Sequence, residues 1–316
     1  MQMLSQTTLQ DMASAENFHI AADLLASTEY ALPHSTGRLP AGGGSIAQVE
    51  KMLLARRSAV RELFADLMLD KRIVHLFKTR DDFANLRLAL RRTLTGKAVG
   101  TDYSSDGNVP LELYERVFKE ENYDLLPGYM QQAVDEAVLA YYQNKDVRQI
   151  DYAIDRFEAL YRLRKAHELE NIFLLGLFRI QIDLTNIKTM LRLKFTGSEQ
   201  RNVFLEGGYV HLERLETGLA LGYESLGPLF FVTPYHKVVE IGSNYLSTNK
   251  SFLKAEQQCE QFLHGFLKTT AYITTGPQPI IAYLLMKENE IRMVRLILTA
   301  KKNSLDTRLV LDRIGE

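Results

Sequence analysis

The sequence predicts an all-α protein, and three observations carry that reading. Apolar residues recur at three- and four-residue intervals through nearly every long segment, while the strict alternation of a half-buried strand is hard to find. Prolines and short polar residues stand where helices would begin, and glycines where they would stop. A 15-residue internal repeat aligns without a gap, and its apolar positions fall on one helical stripe.

Residues 18–27 read as a short helix, followed by a connection at 34–45 with Pro40 and four glycines, Gly42-Gly43-Gly44 among them. Residues 46–68 carry Val49, Leu53, Leu54, Val60, Leu63, Phe64 and Leu67 on one face, which is an amphipathic helix. Pro110 follows a Ser-Ser-Asp-Gly-Asn run and suits the first turn of a helix over 110–120; Pro127 opens another to about Asn144. A fourth begins near Val147 with Ile150, Ile154, Phe157, Leu160 and Leu163 aligned. Residues 171–195 form a long apolar helix stopped at Thr196-Gly197. Glycines and aromatics, including Phe230, Phe231 and Tyr235, crowd residues 207–249, and the spacing there sets no clear boundaries. Phe230-Phe231 and Pro234-Tyr235 read as aromatic core or as an exposed contact patch. A helix over 253–267 follows. The 18 uncharged residues from Thr269 to Met286 approach the length of a membrane span, but four threonines and Gly276-Pro277-Gln278-Pro279 break the run. The run reads as a loop entering a buried helix, and no membrane span is predicted.

Composition narrows the function classes. The 316 residues are 46% hydrophobic and 24% charged, which fits a globular chain of about two domains and tolerates three. Thirty-eight Lys and Arg balance 39 Asp and Glu, so the molecule as a whole has no field to gather nucleic acid or anionic lipid. One cysteine, Cys259, can form no internal disulfide, and the first basic residue is Arg38, so no charged segment opens a signal peptide. The expected location is cytoplasmic.

Residues 82–96 (DFANLRLALRRTLTG) align on 183–197 (DLTNIKTMLRLKFTG), an offset of 101. Asp82 and Asp183, Asn85 and Asn186, Leu90 and Leu191, Arg91 and Arg192, Thr95 and Thr196, and Gly96 and Gly197 are identical. A looser third copy lies at 287–295, which keeps an acid, an aliphatic and spaced arginines. At 100° per residue, Phe83, Leu86, Leu90 and Leu94, like Leu184, Ile187, Leu191 and Phe195, form a stripe that should face a core. Asp and Asn share a second face, where a structural cap or a hydrogen bond holding helix to helix is favoured over a general acid, because no nucleophile accompanies either copy. Arg87 and Arg91, Lys188 and Arg192, and in the third copy Arg292 and Arg295, lie along a third face. They are either solvated cations near helix C-termini, each favoured by about 0.3–1 kcal/mol from the dipole, or contacts that converge on a partner.

Catalytic and metal motifs are incomplete. His167-Glu168-Leu-Glu-Asn171 begins like H-E-x-x-H but has Asn171 in place of the second histidine. His211-x-Glu213 has no Pro-Cys-x-x-Cys to complete a zinc site. The glycines of 37–45 lack the Gly-Lys-Ser/Thr of a phosphate loop, and the acidic neighbours of Cys259 oppose a reactive thiol. No catalytic residue, metal or cofactor is expected. An all-α enzyme would need a pocket joining His167 or His264 to carboxylates, and the sequence gives no sign of one.

The repeated Asp-x-x-Asn-hydrophobic-basic unit and the block from Gly276 to Asn303, with its Gly-x-x-Pro, Ala282-Tyr283 and Lys287-Glu-x-Glu-Ile-Arg-x-x-Arg295, resemble the C subunits of the V-type and A-type ATPases and ATP synthases, whose eukaryotic relative is the d subunit of the V-ATPase. The resemblance spans about residues 18–314. It implies three related helical subdomains, here 1–105, 106–204 and 205–316, arranged as a funnel around a pseudo-threefold axis. It implies a non-catalytic rotor adapter whose partners are the D and F subunits of the central stalk and the membrane rotor ring. Such an adapter is peripheral to the membrane and links ATP hydrolysis or synthesis to proton or sodium transport. The alternative is a helical-repeat scaffold of another assembly. Two departures from the family stand out. The polar, Gln-rich residues 1–11 are expected to be disordered or foreign to the fold, and the Gly42–Gly44 loop looks local to this chain.

Overall fold

The computed structural model describes residues 3–30, 46–97, 102–198, 200 and 202–315. Among these every regular element is helical and no strand occurs. The glycine-rich connection at 34–45, with its Gly42–Gly44 loop, lies outside the described residues. The chain forms two compact units, Met1–Leu69 with Tyr223–Glu316, and Asp70–Gly222.

The second unit holds α4 (Lys71–Leu94), α5 (Leu111–Glu120), α6 (Gly128–Asn144), α7 (Arg148–Glu168), α8 (Ile172–Thr196) and α9 (Leu212–Ala220). Helices α6 and α7 form a hairpin closed by Lys145, which takes a left-handed conformation (φ 55°) and donates its N–H to Tyr141 O. Both long helices start on a side-chain cap: Asp70 accepts the N–H of Arg72, and Asn171 that of Leu174 at 3.0 Å. They stop at Thr95-Gly96 and at Gly197, and both glycines have positive φ (68° and 66°), which a side chain would disfavour. Asn171→Ala removes the cap's acceptor and is expected to cost about 1 kcal/mol of stability, measured by urea denaturation. The core packs around Phe83, fully buried, whose ring meets Tyr129 at 5.8 Å, Phe157 at 6.0 Å and Tyr161 at 6.0 Å. The predicted stripe faces this interior except at its last member, Phe195, which is 42% exposed beyond the final packed turn.

The first unit holds α1 (Gln6–Ser14), α2 (Phe18–Asp23), α3 (Ile46–Leu67), α10 (Leu226–Leu229), α11 (His236–Asn249), α12 (Leu253–Lys268), α13 (Gln278–Lys302) and α14 (Thr307–Ile314). Helix α13 is central: Ile291, Val294, Ile297 and Leu298 pack with Leu9, Met12, Phe18, Leu53 and Val310 from α1, α2, α3 and α14. The expectation that residues 1–11 are disordered or foreign to the fold is corrected here for residues 3–11, residues 1 and 2 lying outside the described ones. Ser5 caps α1 by accepting the Thr8 N–H, and Leu9, Met12 and Ala13 are buried, so a polar stretch with three well-spaced apolar residues is enough to dock a helix. The helix expected over 18–27 ends at Asp23 and passes into turns. In 207–249 the aromatic cluster divides: Phe230 and Tyr235 are fully buried, whereas Phe231 is 72% exposed. The uncharged run at 269–286 is a turn of 3-10 helix and a loop that lead into α13, and no helix among the described residues is long and apolar enough to cross a membrane.

Candidate functional site

On α4, Asp82 and Asn85 stand one turn apart on a buried face, and both meet the segment that folds back after the helix. Asn85 donates from Nδ2 to Ser104 O and accepts the Ser104 N–H at Oδ1, each at 2.8 Å. Asp82 Oδ1 accepts the N–H groups of Asn108 (2.9 Å) and Val109 (3.0 Å). Its Oδ2 accepts the Asn108 side-chain amide (2.8 Å) and the Tyr129 hydroxyl (2.9 Å). One period later, Asn186 exchanges the same two bonds with Leu205, both at 2.8 Å, and Asp183 accepts the N–H groups of Tyr209 and Val210, both at 3.0 Å.

The partners, like the acids, are 101 residues apart. Each loop comes so close that a Cβ at Gly107 or Gly208 would collide with the carboxylate of Asp82 or Asp183. Buried loop amides need acceptors, and the Asp-x-x-Asn pair supplies them. The pair is a clasp between a helix and its own returning loop, and its carboxylate oxygens are held in bonds to the chain.

The cationic strips on α4 and α13 are braced by acids of their own unit. Arg87 pairs with Asp155 and lies 3.8 Å from Asp151, and Arg91, exposed, lies 3.5 Å from Asp151, both acids being on α7. In the first unit Arg292, exposed, sits 3.6 Å from Glu260 on α12, and Arg295 bonds to Glu50 on α3 at 3.0 Å. Glu260 is itself gripped by buried Arg313 at 2.5 and 2.8 Å. On α8, Lys188 is half-buried and Arg192 exposed. Burial against these helices raises the Asp155 carboxyl above its ordinary value, against the lowering effect of Arg87. Partly exposed pairs of this kind contribute little to stability, about 0–1 kcal/mol each, so the strips can be altered without unfolding a unit.

A second polar centre, missed in the sequence, is buried around α13. Lys287, with no exposed surface, bonds to Glu290 at 2.8 Å and lies 3.5 Å from Glu29, which also pairs with Arg56. Glu290 accepts the Tyr30 hydroxyl at 2.7 Å and the Leu4 N–H at 2.6 Å, so it ties both ends of the N-terminal segment to α13. Burial, with the neighbouring Glu290 charge, pushes the Tyr30 phenol far above its usual range and keeps it a donor. Alongside, Arg61 bonds to Glu288 at 2.8 Å.

Among the described residues no group of three or more His, Cys, Asp or Glu side chains is placed to hold a metal ion. His167 lies in the last turn of α7 and Asn171 caps the next helix; His211 occupies the cap position of α9, and Cys259 is buried on α12.

Comparison with known proteins places this architecture. Residues 1–313 match the family described as ATP synthase (C/AC39) subunit. The C subunit of the V-type sodium ATPase of Enterococcus hirae is 22% identical over 320 aligned positions, covering 100% of this chain and 94% of that protein. The C subunit of the A-type ATP synthase of Methanococcoides burtonii is 26% identical over 143 positions, 43% of this chain and 39% of that protein. With the match running through both units, the clasps and the α13 centre, the chain belongs to the ATP synthase (C/AC39) subunit family.

Proposed function

We propose that this protein is the non-catalytic rotor adapter of a V/A-type rotary ATPase. In this reading it joins the D and F subunits of the central stalk to the membrane rotor ring, so that ATP hydrolysis or synthesis is coupled to proton or sodium transport. It works at the cytoplasmic side, peripheral to the membrane. It carries no active site and needs no cofactor. The observation that carries the reading is the family match over residues 1–313. The physical character of the helices supports it: an element that transmits torque must resist bending, and long helices clasped to their own loops and closely packed do so. Three related subdomains, 1–105, 106–204 and 205–316, set as a funnel around a pseudo-threefold axis, would present Arg87 and Arg91, Lys188 and Arg192, and Arg292 and Arg295 to the stalk as equivalent strips.

The test is size-exclusion chromatography of the purified chain mixed with the D and F stalk proteins of the same organism. A shared peak of one-to-one stoichiometry is expected. Combined Lys188→Glu and Arg192→Glu substitution is expected to weaken that association about tenfold, roughly 1.4 kcal/mol, with the melting temperature unchanged. Separate peaks for the unsubstituted proteins, also with the ring present, would instead favour a scaffold of another assembly.

A further inference from the structure

On the outer face of α4, Ala84, Arg91 and Thr95 are exposed and Leu88 is half-buried. Ala84, Leu88, Arg91 and Thr95 recur at intervals of four, three and four, the spacing by which one helix presents a continuous face to another. They line a cavity of about 620 Å³. Its floor is apolar and shallow: Ala84 is exposed, Leu88 half-buried, and Val147 at the start of α7 forms a wall. Its rim is cationic, with Arg87, Arg91, Arg92 and Lys97. Arg87 is held by Asp155 and Arg92 by Asp102 at 2.6 Å, whereas Arg91 is exposed with a longer 3.5 Å contact to Asp151, so the charges that reach solvent most freely are Arg91 and Lys97.

We infer that this cleft receives an acidic amphipathic helix of a partner protein in the same complex. The inference rests on the adapter reading in taking the occupant from that complex, and it adds the occupant's chemistry. The shape decides for a helix. From Ala84 to the end of α4 the face runs about 15 Å at 1.5 Å per residue, which is close to three turns and too long for one phosphate or carboxylate. Ala84, lacking a bulky side chain, lets a second backbone approach, and Leu88 with Val147 offers apolar contact. The rim decides for acid: carboxylates on the flanks of the incoming helix would reach Arg91 and Lys97, while its apolar stripe covers the floor. Charge complementarity of this kind sets orientation and association rate more than affinity, so binding should weaken steeply with salt.

The probe is a fluorescein-labelled synthetic peptide of about 14 residues, roughly four turns, with leucines along one face and glutamates along the other. It is titrated with the full chain, and fluorescence anisotropy is read. Saturable micromolar binding is expected, lost when lysines replace the glutamates. Scrambling the peptide to remove the apolar face is expected to weaken it about tenfold. Arg91→Gln with Lys97→Glu should weaken binding by a similar factor with an unchanged melting temperature; Ala84→Glu, which blocks the floor without touching the rim, should do the same. Equal binding of the scrambled peptide or of an oligothymidylate would reveal a generic polyanion surface and overturn the inference. Absence of saturable binding, or indifference to Ala84→Glu, would overturn it too. Because no stalk protein is present in this assay, its failure leaves co-elution with D and F as a separate question.

Discussion

Asp183→Ala is expected to destabilise the protein by about 3–5 kcal/mol, and Asp82→Ala by at least as much. Asp183 is fully buried and is the acceptor for two loop N–H groups, those of Tyr209 and Val210. An alanine cannot accept them, water has poor access, and each buried donor left without a partner costs about 1–3 kcal/mol. Asp82 has two further donors to lose, the Asn108 amide and the Tyr129 hydroxyl. That phenol is pushed far above its ordinary acidity range by burial and by the Asp82 charge, so it remains a donor in need of an acceptor. Asp183→Asn keeps the shape but turns an NH2 group toward one of the two loop amides, and about half the loss should remain. Hydrogen exchange read by mass spectrometry separates this clasp from a diffuse effect. In Asp183→Ala the amides of Tyr209 and Val210 should exchange much faster, with those of the 104–109 loop unchanged. Protected amides at 209 and 210 in that variant would mean the loop is held by something else.

Much of this arrangement is legible in the sequence, because helical periodicity and punctuation are local properties. The helices over 46–67, 111–120, 128–144 and 172–196 follow from apolar spacing, proline entries and a glycine exit, all within a few residues of one another. The clasp residues are legible as a pair, since Asp and Asn three apart share a face, but their partner is not: the acceptors face the returning loop rather than another helix. A signal is nonetheless present. At the same offset of 101, Leu76 and Phe77 match Leu177 and Phe178 before the repeat, and Gly107 and Val109 match Gly208 and Val210 after it. The two glycines recur because each stands against a carboxylate, a close approach that no periodicity reveals. Residues 6–14 escape a local reading because helix propensity there is weak and docking onto α13 makes the difference. The acids that brace Arg87, Arg91, Arg292 and Arg295 come from other helices of their own unit, and long-range pairing of that kind leaves no trace in local spacing.

Lys287→Met is expected to cost about 3–5 kcal/mol, a fall in melting temperature on the order of 10 °C. The lysine has no exposed surface, and Glu290 beside it is 4% exposed, so the pair is formed where neither charge can return to water. Removing the cation leaves Glu290 with two neutral donors, the Tyr30 hydroxyl and the Leu4 N–H, which do not balance a buried negative charge. Glu290→Gln added to Lys287→Met takes that charge away, and its amide oxygen can still accept one of the two donors. The double variant should therefore be more stable than Lys287→Met alone, although methionine and glutamine together have lost the ion pair. A cycle of the four proteins in urea gives the coupling, expected above about 1 kcal/mol because the two side chains touch; additive losses would show that each acts through other neighbours. The same experiment bears on the N-terminus. Glu290 is the acceptor that fixes Leu4 to α13, so Lys287→Met, by weakening the carboxylate's placement, should raise exchange at the amides of α1 before the helices of the other unit respond.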